Sequence, residues 1–363
     1  MKMLSQLRID GFRGIRDLEI DKLTQVNLIV GDNNCGKTSM LEAMQLLRSG
    51  SVANIYRVAK LRVNTFFTSS NSLYDNFICM FSKDANKLKI QLSGLYDGNE
   101  ISYILSGTES RELLDLNELD RVILRQFEEV KGETETDVFT GNSRYTINGR
   151  VSTEKIRLNR FSLMTGTSVN VENQIEISYV APFEHLVGYN ISRIIKNTSY
   201  KEICLKALQL FDPDIEDMMI FKSDISNRSV EYLKHKRLGN MPLSTYGDGI
   251  KKVLVLSNAI ARAANGILLI DEIETSIHKK YYDDIFRFIV KACDAFHVQA
   301  FITTHSIEAI DGLLGTQDYK MQMTNDAITV VTLKHENNKT YSRVLSGREV
   351  FENREAFGFE VRL

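Results

Sequence analysis

Three short apolar runs divide the chain, and each is followed at once by residues of a different character. They are VNLIV at 26–30, ILLI at 267–270, and a run at 298–302 that ends in Phe301 and Ile302. Runs of this length are typical of strands buried on both faces of a parallel sheet. Behind the first run, apolar residues recur at helical spacing, which predicts a strand, a turn and a helix. The residues at this spacing are Met40, Leu41, Met44 and Leu47.

The middle of the chain has a different pattern. Residues 86–108 alternate between apolar and polar positions around Asp97-Gly98, and residues 139–151 do so around Asn148-Gly149. Alternation around such a pair predicts antiparallel hairpins. Residues 109–130 and 186–236 have the period of helices. We therefore predict antiparallel strands that carry an inserted helix, followed by a helical segment.

The segment GDNNCGKTS, residues 31–39, fills the turn behind the first run. It fits the pattern G-x-x-x-x-G-K-[ST], in which two glycines let backbone amides surround phosphates at a helix N-terminus. Lys37 is expected to reach the β- and γ-phosphates of ATP and assist catalysis, and the Thr38 hydroxyl to bind Mg²⁺. The expected contacts to ATP are Gly31, Asn33, Asn34, Gly36, Lys37, Thr38 and Ser39.

Acidic residues follow the second apolar run, in GILLIDEIE at 266–274. The carboxyl ends of parallel strands meet at one edge of a sheet, so these acids are expected beside the phosphates. Asp271 is predicted to bind Mg²⁺ and Glu272 to deprotonate the attacking water. His305 follows the third run, where it is placed to touch the γ-phosphate as a catalytic residue. Taken alone, a solvated acidic turn and an ordinary polar histidine are the alternatives.

Composition restricts the possible partners. The chain has 363 residues, with 45 basic and 47 acidic residues and a formal charge of -2. No global attraction to nucleic acid or anionic lipid is therefore expected, and contact with DNA would need a local patch. The cysteines are scattered without metal-ligand spacing, as is typical of reduced thiols. With no signal-peptide pattern and no apolar run of membrane-spanning length, we expect a cytoplasmic protein without a membrane partner.

The order of these motifs resembles that of the ABC-type ATPases, in particular the branch that contains RecF, SMC and OLD-family proteins. The resemblance lies in LRIDGFRGIRDLEI with VNLIVGDNNCGKTSMLEAM, in LLIDEIETSIH and in VQAFITTHSIEAID. It implies an α/β fold, an ABC-type P-loop ATPase head with a mixed or parallel core sheet, a flanking antiparallel β-subdomain and a helical insertion. Together with the patterns above, it predicts an N-terminal lobe at 1–185 with a helix inserted at about 109–130, a helical lid at 186–240, and a C-terminal lobe with a closing hairpin at 241–363.

A glycine turn stands where this class carries its signature motif. In STYGDGIKK, residues 244–252, Gly247, Asp248 and Gly249 precede a helical pattern whose positive end suits an anion. The resemblance implies that these three residues contact ATP held by a second subunit, so that a homodimer or higher oligomer closes around ATP. Glu274 and His278 of the following D-loop are candidates for contacts between subunits. The central aspartate departs from the pattern, and a plain capped helix is the alternative.

The resemblance favours a Mg²⁺-dependent ATPase that acts as a molecular switch. The segment behind His305 is too short for the TOPRIM nuclease domain of OLD-type proteins. A separate effector protein, a nuclease, is therefore expected, as in bacterial anti-phage defence systems. The alternative is a RecF-like DNA-binding repair ATPase, for which YLKHKRLG at 232–239 is the basic stretch nearest the glycine turn. A nuclease in its own right would need a second carboxylate cluster, which the sequence does not reveal.

Overall fold

A computed structural model of the chain describes residues 2–62, 73–83, 88–115, 133–161, 174–187, 191–222, 229–319, 326–358 and 360–361. The strands are β1 (Leu4–Asp10), β2 (Leu18–Ile20), β3 (Val26–Gly31), β4 (Leu88–Tyr96), β5 (Asn99–Asp115), β6 (Glu133–Ile147), β7 (Arg150–Asn159), β8 (Ile177–Val180), β9 (Ile215–Lys222), β10 (Ser229–His235), β11 (Gly239–Pro242), β12 (Ile267–Ile270), β13 (Gln299–Thr303), β14 (Ile328–Glu336) and β15 (Lys339–Ser346). The α-helices are α1 (Lys37–Met44), α2 (Val52–Ala59), α3 (Leu73–Ile78), α4 (Glu184–Val187), α5 (Ser192–Ile195), α6 (Thr198–Gln209), α7 (Asp248–Arg262), α8 (Tyr282–Ala295), α9 (Ile307–Leu314) and α10 (Gly347–Phe357).

The three predicted apolar runs form neighbouring strands of a six-stranded core sheet with the order β15-β14-β3-β13-β12-β8. All neighbouring strands are parallel except β14 and β15, which form the antiparallel closing hairpin. The predicted α/β fold with a mixed core sheet is thus confirmed. The strand before the P-loop and the strand before the acidic pair lie on either side of β13, so the carboxyl ends of all three meet at one edge.

The side chains on the two faces of this sheet pack into two separate hydrophobic cores. In β12, Leu268 and Ile270 point into one core and Ile267 and Leu269 into the other. Helices α5 to α9 fill the first core, while α1, α2 and the antiparallel sheet fill the second. All four side chains are buried, because both faces of the sheet are covered. This explains why β12 is a continuous apolar run with no alternation.

The second sheet is antiparallel, with the order β2-β1-β4-β5-β6-β7. Its tight turns are the predicted ones, since Asp97, Gly98, Asn148 and Gly149 have φ of 53, 75, 51 and 73°. Positive φ at both central residues is the requirement of a type I′ hairpin turn, which asparagine, aspartate and glycine meet at little cost. The predicted hairpins therefore form where the sequence places them.

The helix predicted at 109–130 is wrong over its first part. Strand β5 continues to Asp115 and pairs with β6 along its whole length, with Glu109 opposite Phe139 and Asp115 opposite Glu133. Cross-strand hydrogen bonds satisfy the backbone there, and Leu113, assigned to an apolar helix face, is 63% exposed. Local leucine spacing was therefore outweighed by long-range pairing. Residues 116–130 lie outside the described residues.

The lid predicted to be helical at 186–240 is helical only in its first half. Helices α5 and α6 are followed by a three-stranded antiparallel sheet with the order β11-β10-β9. Met218 and Leu233 enter the core from this sheet, and Phe221 packs on Tyr232 across two strands at a centroid distance of 5.3 Å. Cross-strand contacts of this kind join residues that are not neighbours in the chain, so the residue pattern did not reveal them. The division of the chain at residues 185 and 240 stays a prediction.

Candidate nucleotide-binding site

The P-loop is a turn of left-handed residues between β3 and α1. Gly31, Asn34 and Gly36 have φ of 136, 63 and 105°. A Cβ on Gly31 would lie 2.2 Å from the carbonyl oxygen of Leu333, so only glycine fits there. The turn carries the chain into the first residues of α1, and free backbone amides of a helix N-terminus face the concave side of such a loop. The predicted ATP contacts at 31–39 are thus brought together.

Lys37 is held by the loop that it follows. Its Nζ donates hydrogen bonds to the carbonyl oxygens of Gly31 at 2.8 Å and Asp32 at 2.7 Å. The residue is 5% exposed. These contacts keep the ammonium group at the loop, where its charge is available to an anion on the backbone amides.

Thr38 and Asp271 meet as predicted, although 233 positions separate them in the chain. The Thr38 hydroxyl donates to Asp271 Oδ1 at 3.2 Å, and the Thr303 hydroxyl donates to the same oxygen at 2.6 Å. Tyr179 donates to Oδ2 at 3.4 Å, and burial, with Asp271 adding to it, raises the pKa of this phenol so that it stays protonated. A hydroxyl and a carboxylate next to a phosphate cradle are the oxygen ligands that Mg²⁺ takes in proteins, so these residues fit that ion.

Glu272 and His305 lie beside this pair. The distance between Glu272 Oε1 and His305 Nε2 is 3.7 Å. Glu272 adopts a left-handed conformation with φ of 47°, and its backbone N–H donates to the Thr303 hydroxyl at 2.8 Å. Thr303 therefore links both acids to β13. Sequence reasoning assigned this threonine no role, although its place at the end of a strand beside His305 was a usable signal.

A buried carboxylate in α1 was not predicted from the sequence. Glu42 is 1% exposed; its Oε2 lies 2.8 Å from Arg13 Nε, and its Oε1 accepts a hydrogen bond from Arg62 Nε at 2.7 Å. Arg62 also donates to Ser39 Oγ at 3.2 Å. Burial lowers the pKa of Arg13. This pairing fixes the face of α1 beside the P-loop; Arg13 belongs to the FRGI stretch, but nothing in the sequence indicated Arg62.

The glycine turn forms the N-terminus of α7. Gly247 is the capping residue, with φ of -67°. Asp248 is half exposed, and Lys251 donates to its Oδ1 at 3.5 Å. A Cβ on Gly249 would lie 2.8 Å from the ring of Phe211, whereas one on Gly247 would meet no atom within 4 Å. The nearest atoms to a Cβ on Gly249 thus belong to Phe211 and to the carbonyl oxygen of Ser276 in the D-loop.

The D-loop residues already have contacts within the chain. Glu274 Oε1 accepts a hydrogen bond from the backbone N–H of His305 at 2.7 Å. The His278 ring accepts one from the backbone N–H of Lys280 at 3.3 Å and so caps a short 3₁₀ turn. Contacts of either residue with a second subunit stay a prediction.

A second group of possible metal ligands, Asp212, Asp214 and His235, has another explanation. His235 Nδ1 accepts hydrogen bonds from the backbone N–H groups of Arg237 at 3.1 Å and Leu238 at 3.2 Å. The ring proton therefore lies on Nε2, which is 3.3 Å from Asp212 Oδ2. Asp214 is paired with Arg237 at 2.6 Å. The cluster fixes the turn between β10 and β11, and a metal on Nε2 would have to displace that proton.

The strand order and the motifs at the sheet edge define an ABC-type P-loop ATPase of the branch that contains RecF and the SMC proteins. The chain belongs to the family described as "AAA domain, putative AbiEii toxin, Type IV TA system", whose model matches residues 26–311.

Two relatives whose names state a role support this assignment. Over an alignment of 390 positions, gaps included, the chain is 24% identical to an ATP/GTP phosphatase of Helicobacter pylori, and the match covers 97% of this chain and 99% of that protein. It is 30% identical over 115 residues to the DNA replication and repair protein RecF of a Marinomonas species, which is 32% of this chain and 30% of that one.

A solved Smc head domain with an extended coiled coil, bound to the C-terminal domain of ScpA from Pyrococcus furiosus, superposes with a TM-score of 0.50 at 12% identity. That match covers 99% of this chain and 100% of that one, and at this identity it shows the fold alone. In the described residues, none of the helices is long and apolar enough to span a membrane.

Proposed function

We propose that this chain hydrolyses ATP in a Mg²⁺-dependent reaction and uses the cycle as a molecular switch. The observation that carries the proposal is the convergence of Thr38, Asp271, Glu272 and His305 at one sheet edge beside the P-loop. Each of these groups has a task in phosphoryl transfer, which depends on positioning and on stabilisation of charge.

The P-loop binds the triphosphate in this proposal. Backbone amides of residues 31–39 surround the phosphates, and Lys37 moves its hydrogen bonds from the loop carbonyls to the β- and γ-phosphate oxygens. Thr38 and Asp271 would hold Mg²⁺, which when bound supplies positive charge against the phosphates. Tyr179 and Thr303 fix the carboxylate of Asp271 through their hydroxyl groups.

Glu272 acts as the general base. Water attacks the γ-phosphorus, the bond from that phosphorus to the bridging oxygen breaks, and Glu272 receives the proton of the water. The left-handed backbone of Glu272 and its bond to Thr303 direct the carboxylate beside His305. His305 contacts the γ-phosphate from the end of β13 and contributes to binding the charge that develops there.

The glycine turn completes the site of a second copy of the chain. Gly247 has an ordinary φ, and a side chain there would meet nothing within 4 Å, so the fold of this chain does not require glycine at that position. Close approach of an anion to the backbone gives a reason for it, and the N-terminus of α7 favours negative charge. Lys251 binds Asp248, which reduces the repulsion that this aspartate would exert on a phosphate. ATP would then join two copies head to tail.

The role of the switch is to control a separate effector protein, a nuclease, in bacterial anti-phage defence. The family description, with its toxin and type IV toxin–antitoxin terms, is compatible with such a role. Closing and opening around ATP would present the effector with two states of different affinity.

Two substitutions test the ATPase. Lys37→Ala should abolish ATP binding, because it removes the cation of the phosphate cradle. Glu272→Gln keeps the size of the side chain but removes the base, so it should bind ATP, lose at least about a hundredfold in kcat and accumulate the assembled state. Titration with a fluorescent ATP analogue, phosphate release and light scattering give the three readouts.

Lys83→Ala and Glu202→Gln, at exposed positions, serve as matched controls and should behave as wild type. A Glu272→Gln protein that neither retains ATP nor changes its oligomeric state would contradict the switch, and full hydrolysis by this variant would contradict the role of Glu272.

A RecF-like DNA-binding ATPase is the second candidate, and the local match to RecF favours it. It predicts that the purified protein alone binds DNA, that ATP strengthens binding, and that added salt weakens it steeply. Fluorescence anisotropy with a labelled duplex, with and without ATP, distinguishes the two candidates.

A further inference from the structure

One residue of the acidic pair and one residue shortly behind it have backbone conformations that residues other than glycine disfavour. Glu272 has φ of 47° and Ser276 has φ of 67°. A left-handed backbone is unfavourable for a residue other than glycine, so surrounding contacts must hold it. The loop from Glu272 to Ile277 is therefore shaped by its neighbours as well as by its own sequence.

The neighbour that holds Ser276 is a buried histidine. His185 Nε2 and Ser276 Oγ are 2.9 Å apart, and His185 is 1% exposed. His185 lies in α4, directly behind β8, and Glu184 fixes the start of this helix by accepting the backbone N–H of Ala181 at 3.1 Å. The imidazole therefore comes from a helix whose start is fixed by Glu184, and it reaches the loop behind the acidic pair.

The same segment is also attached to the helix of the glycine turn. Lys252 of α7 is 0% exposed, and its Nζ donates to the carbonyl oxygen of Pro182 at 3.1 Å. From the other side, a Cβ on Gly249 would lie 3.5 Å from the carbonyl oxygen of Ser276. Thus residues 181–187 contact both the loop 272–277 and α7 near its start, and the loop also lies against the start of α7.

We infer that His185 is a positioning residue for hydrolysis: through Ser276 it fixes the loop behind Glu272 against the start of α7. The base of one ATP site and the glycine turn offered to another would then move as one body. This inference rests on the proposed ATPase function. Burial and the charge of Lys252 lower the pKa of His185, so the ring is neutral at pH 7 and its bond to Ser276 joins two uncharged groups.

Four variants test this role. His185→Leu and Ser276→Ala each remove the bond, and each should lower kcat about tenfold while the Kd for ATP stays within about twofold, since the P-loop is untouched. The double variant should be no worse than either single one, because both remove the same contact. His185→Gln can place an amide near the position of Nε2 and should restore most of kcat.

His235→Leu is the matched control for loss of a buried imidazole, because His235 fixes a turn of the β9–β11 sheet. It should lower thermal stability and leave kcat unchanged. Additive effects of His185→Leu and Ser276→Ala, or an unchanged kcat in both, would overturn the inference.

Hydrogen exchange of the nucleotide-free proteins separates this inference from the ATPase proposal. His185→Leu should raise amide exchange at residues 273–277 and at the start of α7, with no change around residues 31–39. If the wild type fails to hydrolyse ATP, the proposed function fails and the positioning role of His185 in hydrolysis fails with it, whatever the exchange shows. If the wild type hydrolyses ATP but exchange in the loop is unaltered by His185→Leu, only the positioning role is refuted.

Discussion

Glu42 shows how much of the P-loop region depends on a residue with no part in the phosphate-binding pattern. Its carboxylate is buried between Arg13, 13% exposed at its side chain, and the half-exposed Arg62. A buried charge with one partner removed is strongly destabilising, whereas an exposed pair contributes little.

We therefore expect Glu42→Gln to lower the free energy of unfolding by about 3 kcal/mol, because it leaves the Arg13 guanidinium buried without a counter-charge. Urea denaturation followed by circular dichroism measures this change. Glu19→Gln removes the partner of Arg8 in an exposed ion pair and should lower the free energy of unfolding far less than Glu42→Gln does, because water screens that pair. Equal losses in the two variants would contradict the importance of burial.

Lys252 is a second buried charge, and it makes stability depend on pH. Burial lowers its pKa to about 8, while the unfolded chain keeps the proton up to about pH 10. Between these values the unfolded state binds more protons, so the contribution of this site to stability rises with pH.

Relative to Lys252→Met, the wild type should gain up to about 1.4 kcal/mol of unfolding free energy per pH unit between about pH 8 and 10. Urea denaturation of both proteins across this range measures the difference. Lys83→Met, at an exposed position, should show a constant difference. A constant difference for Lys252→Met as well would mean that the lysine titrates normally.

At the scale of elements, the start of α7 contains two glycines, and a different cause explains why glycine occupies each position. Gly249 faces Phe211 at a distance that leaves no room for a methyl group, whereas Gly247 faces open space. The first glycine belongs to the packing of this chain, and the second is explained by the proposed contact with another copy.

Gly249→Ala should cost about 1–2 kcal/mol of stability, because the Phe211 ring must shift. Gly247→Ala should change stability by less than about 1 kcal/mol, since its φ suits alanine and only a cap is altered. It should nevertheless weaken ATP-dependent assembly. Thermal unfolding measures the change in stability. Light scattering with ATP, in proteins that also carry Glu272→Gln, measures assembly. Unimpaired assembly of the Gly247→Ala protein would contradict the proposed contact of this turn with a second copy.

Some of the strands and turns could be predicted from the sequence, and others could not. The strands β3, β12 and β13 and the turn at 31–36 were predictable, because burial on both faces and phosphate binding each restrict residue type at short range. The extension of β5 and the sheet β9–β11 were not, since their stability comes from pairing partners elsewhere in the chain. The contact of Thr303 with Asp271 and that of His185 with Ser276 escaped for the same reason: each joins elements whose proximity only the fold creates.

At the scale of the whole molecule, the proposed site is divided between two copies, so two defective chains should repair one another. Lys37→Ala lacks a working P-loop but keeps the glycine turn, and Gly247→Trp keeps the P-loop but blocks the turn. Each alone should be inactive.

An equimolar mixture should recover about a quarter of the wild-type rate, since half of randomly formed dimers are mixed and each has one complete site. Phosphate release at constant total protein measures this recovery. Mixing Lys37→Ala with Glu272→Gln is the control, because both defects lie on the P-loop side of the site and no complete site can form. An inactive first mixture would indicate that the turn does not act in trans.

The central position of β13 has a consequence for how the chain tolerates changes of length. This five-residue strand is bonded to β3 on one side and to β12 on the other, and it brings Thr303 to the acidic pair. Because neighbouring residues of a strand point to opposite faces, one inserted residue would exchange Thr303 for Ile302 at that point. We expect insertions and deletions within QAFIT to be far more damaging than those in the turn at Asn337 and Asn338, where β14 and β15 can absorb an extra residue at their exposed end.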